Sequence, residues 1–287
     1  MRTPPPTIDP DTYRASDPAL AELDDEAAIA HYHSHGRDQG VVASPLALRE
    51  NLLRFIDDDI SLLEIGPFCH PLKRGPKVEY LDVLDADQLR VRAGQTKRDA
   101  AGVPDVIHHV GDLDIVDRSY DAVLSSHAIE HQPDLVRHLQ QVERILNPGG
   151  AYFLIIPDKR YCFDHFIAES TIADVLQAHQ EKRRAHVLKS VIEHRALTVH
   201  NDHRRHWAGD HGNPERNRAA RVKAAIAEYE AAAGGYIDVH AWYFTPPAFR
   251  SIVATLRELG LIGLEIAGIY DPARDRNEFC AILRKAD

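Results

Sequence analysis

The run Ser61-Leu62-Leu63-Glu64-Ile65-Gly66, with Val78-Glu79-Tyr80-Leu81-Asp82 a short way downstream, is the feature that most limits what this chain can become. An apolar stretch ending in Glu-Ile-Gly reads as a buried parallel strand running into a tight turn. The second stretch is another short strand, and it stops on a carboxylate. Set side by side, the two present a glycine at one tip and an acid at the next. The glycine lets backbone approach a ligand closely, and the acid accepts hydrogen bonds from a ribose diol. The pair points to a nucleoside-type ligand.

The same rhythm continues beyond Asp82. A helix is expected over 86–93, then a polar loop over 94–105 and a third strand over 106–110 that ends at Gly111-Asp112. A fourth strand is expected over 120–125 and an amphipathic helix over 133–146, stopped by Asn147-Pro148-Gly149-Gly150. A fifth strand over 151–156 ends at Pro157-Asp158. Near the end come a helix over 245–260 and two strands over 264–270 and 278–283. This alternation predicts an α/β fold: a Rossmann-like, seven-stranded, mostly parallel sheet with helices on both faces. The stretch 158–240 breaks the pattern. It is helical, polar and His-rich, with helices expected over 170–188 and 214–233, and so reads as a helical insertion after the fifth strand. Upstream, 1–18 reads as loosely ordered, and helices are expected over 18–39 and over 45–55 with Ser44 as cap. The division is therefore 1–45 leader and helical lid, 46–157 ligand-binding core, 158–240 substrate cap, and 241–287 completion of the core.

Composition narrows the function. No apolar run in the 287 residues approaches the ~20 needed to span a bilayer. No apolar segment backs Arg2 as in a signal peptide, so a soluble, cytoplasmic protein is expected. Three widely spaced cysteines, Cys69, Cys162 and Cys280, suit neither a disulfide framework nor a thiolate metal site. A net charge of −10 argues against nucleic acid as partner, although short basic runs occur at Lys182-Arg183-Arg184 and Arg204-Arg205.

The ordered set Leu63-Glu64-Ile65-Gly66, Asp82, Gly111-Asp112, Asp121 through His131, and Leu146-Asn147-Pro148-Gly149-Gly150 resembles the class I S-adenosylmethionine-dependent methyltransferases. The resemblance spans about 62–156 and returns at 242–283, where Phe244-Thr245-Pro246 and Glu278 to Leu283 look like that family's closing helix and antiparallel last strands. One departure stands out. The family's first loop usually continues Gly-x-Gly, whereas this chain has Gly66-Pro67-Phe68-Cys69-His70-Pro71. The altered loop also argues against a dinucleotide, whose pyrophosphate would need the missing glycines.

The resemblance implies S-adenosyl-L-methionine as cofactor and a role for each matching position. Glu64, Gly66 and Pro67 would shape the methionine end, and Asp82 would hold the ribose hydroxyls. Asp112 and the Leu113 backbone would read the adenine, while Ser126 and His127 would line the sulfonium. Methyl transfer itself rests on in-line placement in a water-poor pocket, with a base near neutrality if the acceptor is a hydroxyl. His131, Tyr161 and His165, past the fourth and fifth strands, are the catalytic candidates. His131 has a competing structural reading, packed on the sheet with Glu130 as a cap. Asp158, Arg160, His206, His240 and Trp242 are the candidates for lining an acceptor pocket, with the tryptophans equally readable as core.

The expected reaction is methylation of a hydroxyl or amine on a small molecule or glycan, and a homodimer is compatible with it. No residue is assigned to a metal, because the run His200-x2-His203-x2-His206-x4-His211 matches no zinc spacing. The alternatives are a protein that binds the cofactor without turning it over, or a metal-assisted enzyme using the His-rich insertion.

Overall fold

The computed structural model describes residues 2–286. The strands are β1 (Leu62–Ile65), β2 (Val78–Asp82), β3 (His109–Val110), β4 (Tyr120–Ser126), β5 (Leu146–Pro157), β6 (Glu265–Tyr270) and β7 (Glu278–Arg284). They form one sheet in the order β3-β2-β1-β4-β5-β7-β6, with β7 antiparallel to both its neighbours. The helices in chain order are α1 (Pro10–Arg14), α2 (Asp25–His31), α3 (Arg49–Phe55), α4 (Ala86–Gln95), α5 (Leu135–Ile145), α6 (Ile172–Gln180), α7 (Leu188–Ala196), α8 (His203–Trp207), α9 (Arg218–Ala232) and α10 (Pro246–Glu258). The fold is the expected Rossmann-like α/β sheet. No helix among the described residues is long and apolar enough to cross a membrane.

The period-two alternation of the strands divides the core between the two faces. Val123, Tyr152, Leu154, Ile156, Phe279 and Ala281 join one cluster, which also receives Leu139 and Val142 of α5 and Phe249 and Val253 of α10. Ala122, Leu124, Phe153, Ile155, Cys280 and Ile282 join the other, under Leu52 of α3. Because both faces are covered, β1 is buried along its whole length, which is why it reads as an unbroken apolar run. Capping sets the start of the sheet-flanking helices. The Asp134 carboxylate accepts from Arg137 N at 2.9 Å at the head of α5, and the Thr245 side chain caps α10 ahead of Pro246.

Several element boundaries differ from expectation. The helix expected over 18–39 is a 3₁₀ turn at Pro18–Leu20, then α2 capped by Asp24, then a wider π turn at Tyr32–Gly36. The helix expected over 45–55 starts as a 3₁₀ turn, and Ser44 makes no side-chain cap. Residues near the start are tied down rather than loose, because Tyr13 of α1 is buried against Leu20, Ala28 and Tyr32. The third strand shrinks to two residues at a sheet edge, with Val106 exposed. The long helix expected over 170–188 ends at Gln180, where Lys182 takes φ 53°, and the one expected from 214 starts only after Asn217 at φ 55°. In the insertion, α7 and α9 pack through Val191 and Ala225, with Ile237 and Val239 of the adjoining extended segment. Val175 and Ala178 of α6 instead join the main core.

Candidate functional site

The C-terminal ends of β1, β2, β3 and β4 lie side by side, locked by ladder bonds such as Gly66 N to Leu81 O and Gly111 N to Asp82 O, both 2.8 Å. Glu64 is buried, and its two oxygens accept from Leu72 N at 2.8 Å and Lys73 N at 3.1 Å. Burial pushes this carboxyl up to about 7 against the two backbone donors. Its hydrogen bonds thus hold the 67–73 loop, which also buries Pro67. Gly66 sits at φ 70°, a conformation other residues resist, and a Cβ there would meet only the Ala128 methyl at 3.6 Å.

Asp82 is 8% exposed, and burial raises its carboxyl above the usual range. The bond it accepts from Leu84 N is long, at 3.4 Å, so lone pairs remain for further donors. Asp112 is half-exposed and takes Arg137 at 2.6 Å as well as Leu113 N at 2.7 Å. The Leu113 N–H expected to face a ring nitrogen is therefore turned onto its neighbour's carboxylate. Ser126 Oγ receives Arg49 at 3.3 Å. His127, at φ 50°, places Nε2 2.8 Å from Glu278, which Arg49 also grips at 3.1 Å. For His127, burial works against a proton, but the Glu278 bond and nearby Glu130 lift its pKa above the ordinary value.

An adenosyl ligand fits this edge. It needs backbone without a side chain in the way, a desolvated acceptor for a diol and a strand-tip acid one place over, and Gly66, Asp82 and Asp112 offer these in turn.

Past β4 the chain turns through Ala128 to His131, and here lies a polar cluster that sequence reasoning only half found. Glu130 is fully buried, and neither of its oxygens has a hydrogen-bond partner. Its Oε1 lies 3.8 Å from His127 Nδ1, from His131 Nε2 and from His240 Nε2. Glu130 does not act as a cap. His240 comes from the extended segment after α9, which Ala241 N and Trp242 N pin to Glu130 O at 2.7 and 3.1 Å.

Behind the rings stand more acids. Asp164 lies 2.7 Å from His240 Nδ1, and Asp238 lies 3.1 Å from His131 Nδ1 while also pairing with Arg92 of α4. Burial lowers His240 to about 3 and raises Asp164 to about 7. Asp238, facing His131, falls below the carboxylate range. Asp164, Asp238 and Arg92 were missed. No local signal announced them, because the 235–242 segment forms no strand and bends at Ala241.

The remaining expected residues fall in a second group after β5. Asp158 is fully buried and gripped in bidentate fashion by Arg160, at 2.9 and 2.7 Å. Its two oxygens are thus committed to the guanidinium. Tyr161 stacks flat on Trp207, with centroids 3.8 Å apart. His165 stacks on His211 at 3.7 Å, and its Nδ1 lies 2.7 Å from Arg160 O. His206 is buried between His200 and His211, with Nδ1 3.0 Å from His211 Nδ1. Trp242 donates to Gln132 O at 2.6 Å and packs in the main core, the second of the readings open for it. The structure thus brings His131 together with His240, and His165 with His206, in two adjoining groups linked through Asp164 and its chain neighbour His165.

Residues 66–154 match the family model described as a methyltransferase domain. A comparison with curated proteins finds no match. Among solved structures, the chain is similar to an S-adenosylmethionine dependent methyltransferase from Mesorhizobium loti, at 15% identity over 82% of this chain and 96% of that one, with a TM-score of 0.40. It is similar to an O-methyltransferase family 2 protein from Planctomyces limnophilus, solved with apigenin, at 13% identity over 82% of this chain and 56% of that one, TM-score 0.38. A glycopeptide N-methyltransferase solved with S-adenosylmethionine overlaps less, at 19% identity over 38% of this chain and 53% of that one, TM-score 0.30. Superpositions this loose bear on neither substrate nor mechanism. The matched segment, however, runs from the β1 loop into β5 and carries the whole glycine-and-acid edge, on a sheet whose seventh strand inserts antiparallel between β5 and β6. Over residues 66–154 the chain is similar to a methyltransferase domain.

Proposed function

We propose that the enzyme methylates a hydroxyl, or an amine, of a small molecule or glycan. In this reading 46–157 and 241–287 hold the cofactor and 158–240 covers the acceptor. Asp82 accepts from the ribose hydroxyls, and the bare backbone of Gly66 passes under the methionine end. Asp112 takes the adenine amino group, which requires Leu113 N–H to leave its present partner. Ser126 and His127 flank the sulfur. S-adenosylmethionine, when bound, supplies a methyl group activated by its positive sulfur. The protein's share of the work is to place the acceptor in line, exclude water and receive a proton.

The observation that carries the acceptor half is His165. Its Nδ1 faces a carbonyl oxygen, Arg160 O at 2.7 Å, so Nδ1 carries the proton and Nε2 keeps its lone pair. Burial, with the neighbouring His211, Lys159 and His200, holds its pKa below the ordinary imidazole value despite that bond. A neutral imidazole with one free nitrogen, in a loop just past a strand tip, is suited to take a hydroxyl proton. The polar and aromatic surroundings, Tyr161 on Trp207 and the stacked imidazoles, suit a sugar or a flat polar acceptor.

Two measurements test this reading. Calorimetry with S-adenosylmethionine and S-adenosylhomocysteine should show one site. A mass-shift screen of hydroxyl- and amine-bearing metabolites and oligosaccharides should then give a gain of one methyl. Tight cofactor binding with no methylated product across that panel would refute the acceptor class.

A further inference from the structure

We propose that Glu130, His131 and His240 bind one divalent first-row transition-metal ion of the zinc class. Methyl transfer from S-adenosylmethionine does not itself call for a metal, so this site goes beyond the reaction proposed above.

Three independent features support it. The first is the state of Glu130. A carboxylate with no solvent exposure and no hydrogen bond to either oxygen is rare in a folded protein and costly to keep. Its Oε1 is nevertheless 3.8 Å from the Nε2 atoms of His131 and His240. That is too long for hydrogen bonds, and the three ligand atoms lie within 4.8 Å of one another. An ion about 2.0–2.1 Å from each donor would hold them roughly 3–3.5 Å apart, so a small inward shift completes the site.

The second feature is the outer layer. His240 Nδ1 is 2.7 Å from Asp164 and His131 Nδ1 is 3.1 Å from Asp238. The Asp164 carboxylate hydrogen-bonds the rear nitrogen of His240 and leaves its Nε2 for an ion, the arrangement that orients metal-binding histidines, while Asp238 stands beside the rear nitrogen of His131 without bonding it. His127 shares part of this pattern, with Nε2 2.8 Å from Glu278 and Nδ1 3.8 Å from Glu130 Oε1, but it stands outside the trio of mutually close donors.

The third is rigidity. Ala241 N and Trp242 N hold the His240 segment to the Glu130 carbonyl, so the donors are fixed by backbone from both sides. Imidazole and carboxylate donors together favour zinc, cobalt or iron over magnesium or calcium, which take oxygen ligands. The neighbouring trio His165, His206 and His211 is the weaker candidate. It has no carboxylate, and His165 Nδ1 is already committed to Arg160 O.

The test uses untagged full-length protein, stripped with a chelator and then titrated with Zn²⁺, Co²⁺ and Mg²⁺ by calorimetry and visible absorption. One equivalent of Zn²⁺ or Co²⁺ is expected, with visible Co²⁺ bands, no Mg²⁺ uptake and a higher melting temperature with Zn²⁺. Glu130→Gln and His240→Asn should abolish that equivalent, whereas His211→Ala should retain it. No uptake by the wild type, or no change in its melting temperature with Zn²⁺, overturns the proposal, and neither readout depends on a variant folding. Retention by Glu130→Gln together with loss in His211→Ala also overturns it, by moving the ion to the insertion. A separate titration with S-adenosylmethionine reports on the cofactor reading, so the two can fail independently.

Discussion

The strand-tip edge and the Glu130 cluster both bury acids, but they treat them in opposite ways. Glu64 is held by two backbone N–H groups and lies one residue from the glycine turn it shapes. Glu130 is surrounded by imidazoles and bonded to none of them. In the first region the fold supplies backbone donors to its buried glutamate, although Leu113 N–H would have to leave Asp112 before an adenine is read. In the second, the fold gathers donors from two distant segments and leaves the central acid waiting. A buried charge already satisfied is part of the scaffold, while one left open points to something that binds there.

The largest effect is expected on the acceptor side. His165→Ala should lower kcat by about 10²–10⁴-fold, the usual contribution of a positioned base. The dissociation constant for S-adenosylmethionine should stay the same, and loss of cofactor binding would put His165 on the wrong side. Because His165 titrates below the ordinary imidazole value, its protonation should reduce the rate only at acid pH.

Next, Asp82→Ala should weaken S-adenosylmethionine binding by about 1–3 kcal/mol, since a desolvated acceptor is lost. An unchanged affinity by calorimetry would remove Asp82 from the ligand edge.

Glu64 gives a pH signature. Its folded pKa of about 7 lies above the ordinary 4.5, so the unfolded chain releases its proton first. Stability held below pH 4.5 is therefore lost as pH rises toward 7, by on the order of 3 kcal/mol over the window. Urea unfolding at pH 5 and pH 8 should show this loss in the wild type and a smaller one in Glu64→Gln. Equal losses would show that Glu64 is not strained by burial. The smallest effect is expected for Arg137→Met. Its bond to half-exposed Asp112 is screened by water, so cofactor affinity should shift by less than about 1 kcal/mol.

Much of the sheet was readable because its signal is local. Apolar runs of strand length, with a turn residue or acid at each tip, mark β1, β2, β4, β5 and β7. The break at Lys182 was not readable, because lysine has no turn preference that would announce its left-handed backbone, whereas Asn217 is a residue type that takes that conformation readily. The candidate site was legible where a residue sits at a strand tip, as with Gly66 and Asp82. Asp158 shows the limit: its position after β5 was right, but the guanidinium two residues on that occupies it depends on side-chain geometry. The setting of Glu130 was the least legible. Nothing local to Glu130-His131 says that His240 will fold back against it, or that Asp164 and Asp238 will stand behind the rings.

The placement of β7 has a consequence for how the protein is made. It pairs with β5 from Ala151 opposite Arg284 to Pro157 opposite Glu278, so one long edge of the parallel strands stays bare until this late segment arrives. During synthesis that edge is open to any other extended peptide. A chain cut just before Glu278 should therefore aggregate, even though it keeps every residue at the tips of β1 to β4.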